Sequence, residues 1–237
     1  SGGAIYITCD TFHGSGFVGA DGGTAGAWSG GGGAGGRVAV IYNTTNQAGV
    51  TPKPTTRLSA SHGPRGLYSG SGNGYPGTIY LSDTNFFPST TVTCGGKVIV
   101  PGVSNWTLPA LTLSNAWFQF ADNTPVSIAG NLTLIGVTSR MDVVGISLAV
   151  GGDFTLTNGA VLYVRATPTN GIGPDYGALV AVTGSFVLAS NCWVYPYSDD
   201  TNGGSPKFIA GHLRVLATNA GFNADLKGYR GGVNTID

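Results

Sequence analysis

Short bursts of alternating apolar and polar residues run along the whole chain. Ile5, Ile7 and Cys9 alternate with Tyr6, Thr8 and Asp10, the period of two that marks a half-buried strand. Residues 30–36 are glycine apart from one alanine, and they pass straight into the apolar, β-branched run 38–41. A glycine run has no side chain to bury. It is held only by backbone hydrogen bonds and by close approach to another backbone. This join of glycine tract to short strand recurs, and the chain is read as organised around it. Residues 43–56 read as a polar loop broken by Pro52 and Pro54, and 63–77 as a second small-residue tract. A strand restarts at 77–82, with Ile79 and Leu81 in phase. From about residue 86 the long glycine tracts stop. Short strands are predicted over 91–94, 97–100, 110–113, 117–120, 126–128 and 132–134.

The second half contains a repeat. Small residue, glycine, polar residue, then apolar–variable–apolar recurs at Gly130, Gly152, Gly184 and Gly211, with spacings of 22, 32 and 27 residues. Two copies carry a matching second strand, at 158–164 and 190–195. Several short strands in a period of this size predict the coils of a parallel β-helix, a β-solenoid with glycine-rich corner loops. An antiparallel sandwich has short strands too, but it does not explain the period. With layers about 4.8 Å apart, about nine coils make a rod roughly 45 Å long. Leu132, Phe154, Phe186 and Leu213 are then expected to stack inward. The reading is one solenoid domain over 1–237, glycine-rich over 1–85 and regular over 86–237.

Composition narrows the function. Charged residues are 9% of 237 and the net charge is zero, so a uniformly basic surface for nucleic acid or anionic membrane is not expected. All eleven acids are Asp. Helix formers are scarce, while Gly, Thr, Val and Asn abound. No apolar run reaches the ~18 residues of a membrane span. The chain starts in mid-pattern, as a mature or excised piece would. Cys9, Cys94 and Cys192 each share the apolar phase of a strand. Buried free thiols are the favoured reading, with one disulfide as the alternative.

The combination of SGGAIYIT, GSGFVGADGG, GGGGAGGRVAVIY, GTIYLSD and KGYRGG resembles very long glycine-rich extracellular β-helix repeat proteins of environmental bacteria. More distantly it resembles glycine-rich plant surface proteins. The resemblance is clearest over 1–82 and 207–232. It implies a secreted or surface-displayed β-helix without a defined activity, and it transfers no catalytic residue.

Residues 14–19 and 31–36 match G-x-G-x-x-G, but glycines lead here into strand rather than helix, so no nucleotide cofactor is expected. Calcium repeats need regularly spaced Asp. Only Asp21 stands in the glycine tracts, which leaves at most an incidental calcium. Asp199 and Asp200, with His212 downstream, faintly resemble the acid pair of polygalacturonase-like β-helix glycosidases, which need paired carboxylates. The same residues also make an ordinary turn. Arg140, Arg165 and Arg214 are scattered cations for a lyase. Trp193, Tyr195 and Tyr197 lie on one strand face, opposite Cys192 and Val194. They are expected to point outward and to stack on sugar rings or an apolar partner. His13, His62 and His212 read as surface residues. Asn43, Asn105 and Asn131 begin N-x-Thr sequons.

Three functions follow as expectations: a structural or adhesive surface solenoid, a carbohydrate-binding module, or a polysaccharide-degrading enzyme. Neither end of the sequence reads as capped. The partners expected are therefore a second copy or flanking coils of a longer chain, and possibly polysaccharide. Nucleic acid and a membrane span are not among them.

Overall fold

The computed structural model describes residues 1–26, 30–67, 72–87, 91–92, 94–100, 106–114, 116–145, 147–169, 175–201 and 203–228. Trp28, Asn105 and the sequence from Tyr229 onward lie outside the described residues. The first half holds β1 (Ala4–Cys9), β2 (Phe17–Gly19), β3 (Arg37–Tyr42), α1 (Thr44–Ala48), β4 (Arg57–Ser59), β5 (Thr78–Leu81), β6 (Thr91–Val92), β7 (Cys94–Ile99), β8 (Trp106–Leu108) and β9 (Leu111–Ser114). The second holds β10 (Trp117–Gln119), β11 (Val126–Ile128), β12 (Leu132–Ile135), β13 (Arg140–Val144), β14 (Ser147–Val150) and β15 (Phe154–Thr157). It ends with β16 (Val161–Arg165), β17 (Ala178–Leu188), β18 (Trp193–Tyr197), β19 (Pro206–Val215) and β20 (Gly221–Phe222).

The molecule is almost all β. Among the described residues its strands form two sheets, and the pairing is parallel throughout. The first sheet runs β1-β3-β5-β7-β10-β13-β16-β18-β20, with β2 and β4 alongside. The second runs β6-β9-β12-β15-β17-β14-β11-β8, with β19 on β17. Strand β17 spans two columns of its sheet: 179–182 pair with β14 and 186–188 pair with β15.

The repeat found in the sequence is a register. Leu132 lies opposite Phe154, Phe154 opposite Phe186, and Phe186 opposite Leu213. The first three are fully buried, whereas Leu213 is 56% exposed, because β19 has no strand on its far side among the described residues. The polar residue of the repeat also has a physical role. Asn131 Oδ1 accepts from the Asp153 amide at 2.9 Å, and Asp153 Oδ1 accepts from the Ser185 amide at 2.7 Å. Each corner thus satisfies a donor of the next one, as buried or tightly turned backbone requires. The glycine before it is fixed by close approach, since a Cβ on Gly152 would overlap the Asn131 side chain and the backbone of Gly130.

The tract 30–36 is wrapped by backbone on several sides. Gly32 and Gly35 donate to Gly72 and Tyr75, Gly33 and Gly36 donate to Gly23 and Ala20, and Gly63 and Gly66 donate back to Gly33 and Gly30. In every pair the partners recur three residues apart. A sheet would repeat every second residue. A period of three matches polyproline II geometry, which makes no internal hydrogen bonds and so offers all its groups to neighbours. Cβ atoms on Gly32, Gly35 or Gly36 would overlap the carbonyl oxygens of Gly63, Ala60 or Gly3. Glycine is required there for space.

One contiguous apolar core runs from Ala20 to Ala220. Residues 43–56, expected as loop, contain α1. Asn43 caps it by accepting from the Asn46 amide at 3.1 Å. Gln47 is fully buried and exchanges two hydrogen bonds with the Phe12 backbone. Five residues are too few to show a helical period. The three cysteines are free, Cys94 and Cys192 buried and Cys9 half-buried. Burial pushes the Cys94 thiol up to about 12. No helix among the described residues is long and apolar enough to cross a membrane.

Candidate functional site

Residues of the first sheet that point away from the core form a ladder. In register across β10, β13, β16 and β18 stand Trp117, Arg140, Val161 and Trp193. Two residues along stand Gln119, Asp142, Tyr163 and Tyr195. Arg165 and Tyr197 follow on β16 and β18. Strand spacing of about 4.8 Å sets the aromatic spacing: the Tyr163 and Tyr195 rings stack 4.9 Å apart, and Tyr197 lies 6.1 Å from Tyr163.

Arg140 is the keystone of the ladder. Its guanidinium lies 4.0 Å from the Trp117 ring centre and 3.9 Å from that of Tyr163, a cation held between two aromatic faces. Its Nε and Nη2 donate to the buried Asp142 carboxylate at 2.6 and 2.7 Å. Trp117 Nε1 donates to the same carboxylate at 2.5 Å. The charge of Asp142 is therefore spent inside the protein, where it fixes both Arg140 and Trp117. Burial raises the Tyr163 phenol above its ordinary value, against the opposing pull of Arg140. Arg165 lies 4.1 Å over Tyr197, and Lys227 lies 4.8 Å over the same ring.

Two cavities open on this face. One of about 700 Å³ is lined by Asn73, Tyr75, Lys97, Asp122, Arg140 and Arg165, among others. A second, of about 530 Å³, includes Arg57, His62, Asn73, Trp117 and Tyr163. Trp117 and Arg140 line both. The glycine-rich half supplies one wall, and His62 packs edge-on against Trp117 at 4.3 Å. Lys97 pairs with Asp122 at 2.7 Å, and Asp122 also accepts from Gln119 at 2.9 Å. The carboxylates in the larger cavity, Asp122 and Asp142, are thus both engaged by the protein's own donors.

The sequence-derived candidates fall in different places. Trp193, Tyr195 and Tyr197 lie opposite the core phase of Cys192 and Val194 and are half-buried, Tyr195 and Tyr197 with their rings stacked on Tyr163. Asp199 and Asp200 sit in the turn after β18. Asp199 Oδ1 accepts from the Thr201 amide and hydroxyl, both at 3.1 Å. His212 is exposed on β19 in the other sheet, opposite Ser185. Asp21 accepts from Ser59 Oγ and the Ser61 amide, and no three His, Cys or acidic residues cluster as metal ligands among the described residues. Arg140 and Arg165, scattered in sequence, flank Tyr163, while Arg214 is exposed on β19. Trp117, Asp142 and Tyr163 were missed as site residues. The signal was present, because Tyr163 and Tyr195 are each the sixth residue of the matched segments that begin at Asn158 and Ser190.

No protein-family model, curated protein or solved structure matches this chain.

Proposed function

We propose that this chain is an adhesive segment of an extracellular parallel β-solenoid that binds polysaccharide along the outer face of its first sheet. The observation that carries the reading is the stacked ladder of Trp117, Arg140, Tyr163, Tyr195 and Tyr197 beside two cavities. Flat aromatic faces stack on the apolar faces of sugar rings, while the polar tips take the hydroxyls. Winding as a solenoid is supported by parallel pairing and by equivalent residues in register from layer to layer. Affinity electrophoresis on a panel of plant and algal polysaccharides tests binding. Retardation of the wild type by at least one polymer, lost in Tyr163→Ala and Tyr195→Ala variants that keep their circular dichroism, is expected. Unchanged migration on every polymer refutes the reading.

A second reading has its own observation. Leu213, Val215 and Phe222 hold core-facing positions, yet they are 56%, 45% and 36% exposed. Apolar surface left open on the last strands supports stacking on a further layer, either a second copy or flanking coils. Light scattering across a concentration series tests it, and a constant monomer mass counts against it.

A further inference from the structure

We infer that the cavity between Lys97 and Arg165 selects acidic polysaccharide, chains whose sugars carry carboxylate or sulfate. This rests on the binding reading above and adds the ligand's charge.

The charges in the larger cavity are unequal in availability. Its lining carries three cations, Lys97, Arg140 and Arg165, and two acids, Asp122 and Asp142. The Asp142 side chain is only 4% exposed and locked by Arg140 and Trp117. It offers little negative surface to a ligand. Arg140 uses Nε and Nη2 on Asp142, so its guanidinium keeps further N–H donors. The Lys97–Asp122 pair is open to solvent, 29% and 45% exposed. Such pairs contribute little and are readily exchanged, so a ligand anion can take the place of Asp122 on Lys97. Arg165 has no carboxylate within 4.0 Å among the described residues. It is held instead by the Tyr197 and Tyr163 rings. A guanidinium already oriented on aromatic planes loses little freedom when it takes a planar carboxylate or a sulfate through two N–H groups. The faces of Tyr163 are taken by Arg140 and Tyr195, so a sugar ring packed along the outer edges of Tyr163 and Tyr195 places its acidic substituent within reach of that guanidinium.

Calorimetric titration with four oligosaccharides of equal length tests this: an oligogalacturonate, its methyl ester, a sulfated dextran fragment and a neutral cello-oligosaccharide. At least one anionic probe is expected to bind, and the methyl ester at least about tenfold more weakly than the free acid if the carboxylate is what is read. Tight binding of the sulfated probe alone assigns sulfate as the recognised group. Arg165→Ala is expected to cost the anionic probe about tenfold, the order of one charge-assisted contact. Arg214→Ala removes the same charge from the other sheet and is expected to leave binding unchanged. Equal affinity for neutral and anionic probes, or an equal loss in both Arg variants, overturns the inference while polysaccharide binding stands. Absence of binding by any probe, and by any polymer in electrophoresis, removes both.

Discussion

Asp142 shows how one residue couples stability to the face above it. It is buried, and its three donors come from Arg140 and Trp117. Removing one partner of a buried pair leaves an uncompensated charge, which costs on the order of 3 kcal/mol. Asp142→Ala is therefore expected to lower unfolding free energy by about that amount in urea titration. It is also expected to release Arg140 from between its two rings, with loss of tryptophan emission contrast at Trp117. Cys94 gives a test at the same scale. Its thiol is raised from 9.0 to about 12 by burial. Below about pH 9 it is neutral folded or unfolded and adds no pH dependence. As pH rises from about 9 towards about 12, the unfolded chain loses that proton and the folded one keeps it, so stability falls through this window. In native protein at pH 8, iodoacetamide is expected to modify half-buried Cys9 and to leave Cys94 and Cys192 untouched until denaturant is added. Mass spectrometry of the peptides reads this directly, and early labelling of Cys94 would contradict its burial.

At the scale of elements, the stacked pair Phe154–Phe186, 4.8 Å apart and nearly parallel, makes the cost of truncation predictable. Phe154→Ala is expected to lose about 3–5 kcal/mol, as large-to-small changes in a packed core do. The glycine tract behaves differently. A Cβ on Gly35 meets the Ala60 carbonyl and the Gly77 amide, whereas one on Gly3 meets nothing within 4 Å. Gly35→Ala is expected to cost about 3 kcal/mol by overpacking, and Gly3→Ala to stay within about 0.5 kcal/mol. Thermal unfolding of the two variants side by side separates space from conformational freedom. This contrast also explains what the sequence could tell. Alternation at Ile5–Ile7 and the 22-, 32- and 27-residue spacings were legible, because side-chain period and layer period are written into composition. The three-residue hydrogen-bonding of the glycine tract was not, because backbone without side chains leaves no pattern of its own. Nor was the placing of Arg140 between Trp117 and Tyr163, since each lies 23 residues from Arg140 and only strand pairing brings them together.

For the whole molecule, exposure at the outermost strands is the quantity that decides behaviour. In β3, Val38, Val40 and Tyr42 are buried, while their register partners Ile5, Ile7 and Cys9 in β1 are only half-buried. At the opposite edge, buried Phe186, Leu188 and Val194 have Leu213, Val215 and Phe222 as partners, all substantially exposed. Both outermost layers thus present core-phase side chains and one unpaired row of N–H and C=O groups among the described residues, which favours addition of another strand. The two surfaces differ, so a contact between them is heterologous and propagates unless it closes into a ring. The expected outcome is a mass that rises with concentration in light scattering, and rods in electron micrographs. Leu213→Asp supplies the decisive comparison. Because Leu213 is already 56% exposed, the charge is expected to cost the single chain less than about 1 kcal/mol. Buried in a contact it would be an unpaired charge in an apolar layer, and assembly is expected to disappear. The polysaccharide binding proposed for the separate outer face should survive the substitution. A wild type that stays monomeric at every concentration, or a Leu213→Asp variant that assembles as well as the parent, would sink end-to-end association through this edge.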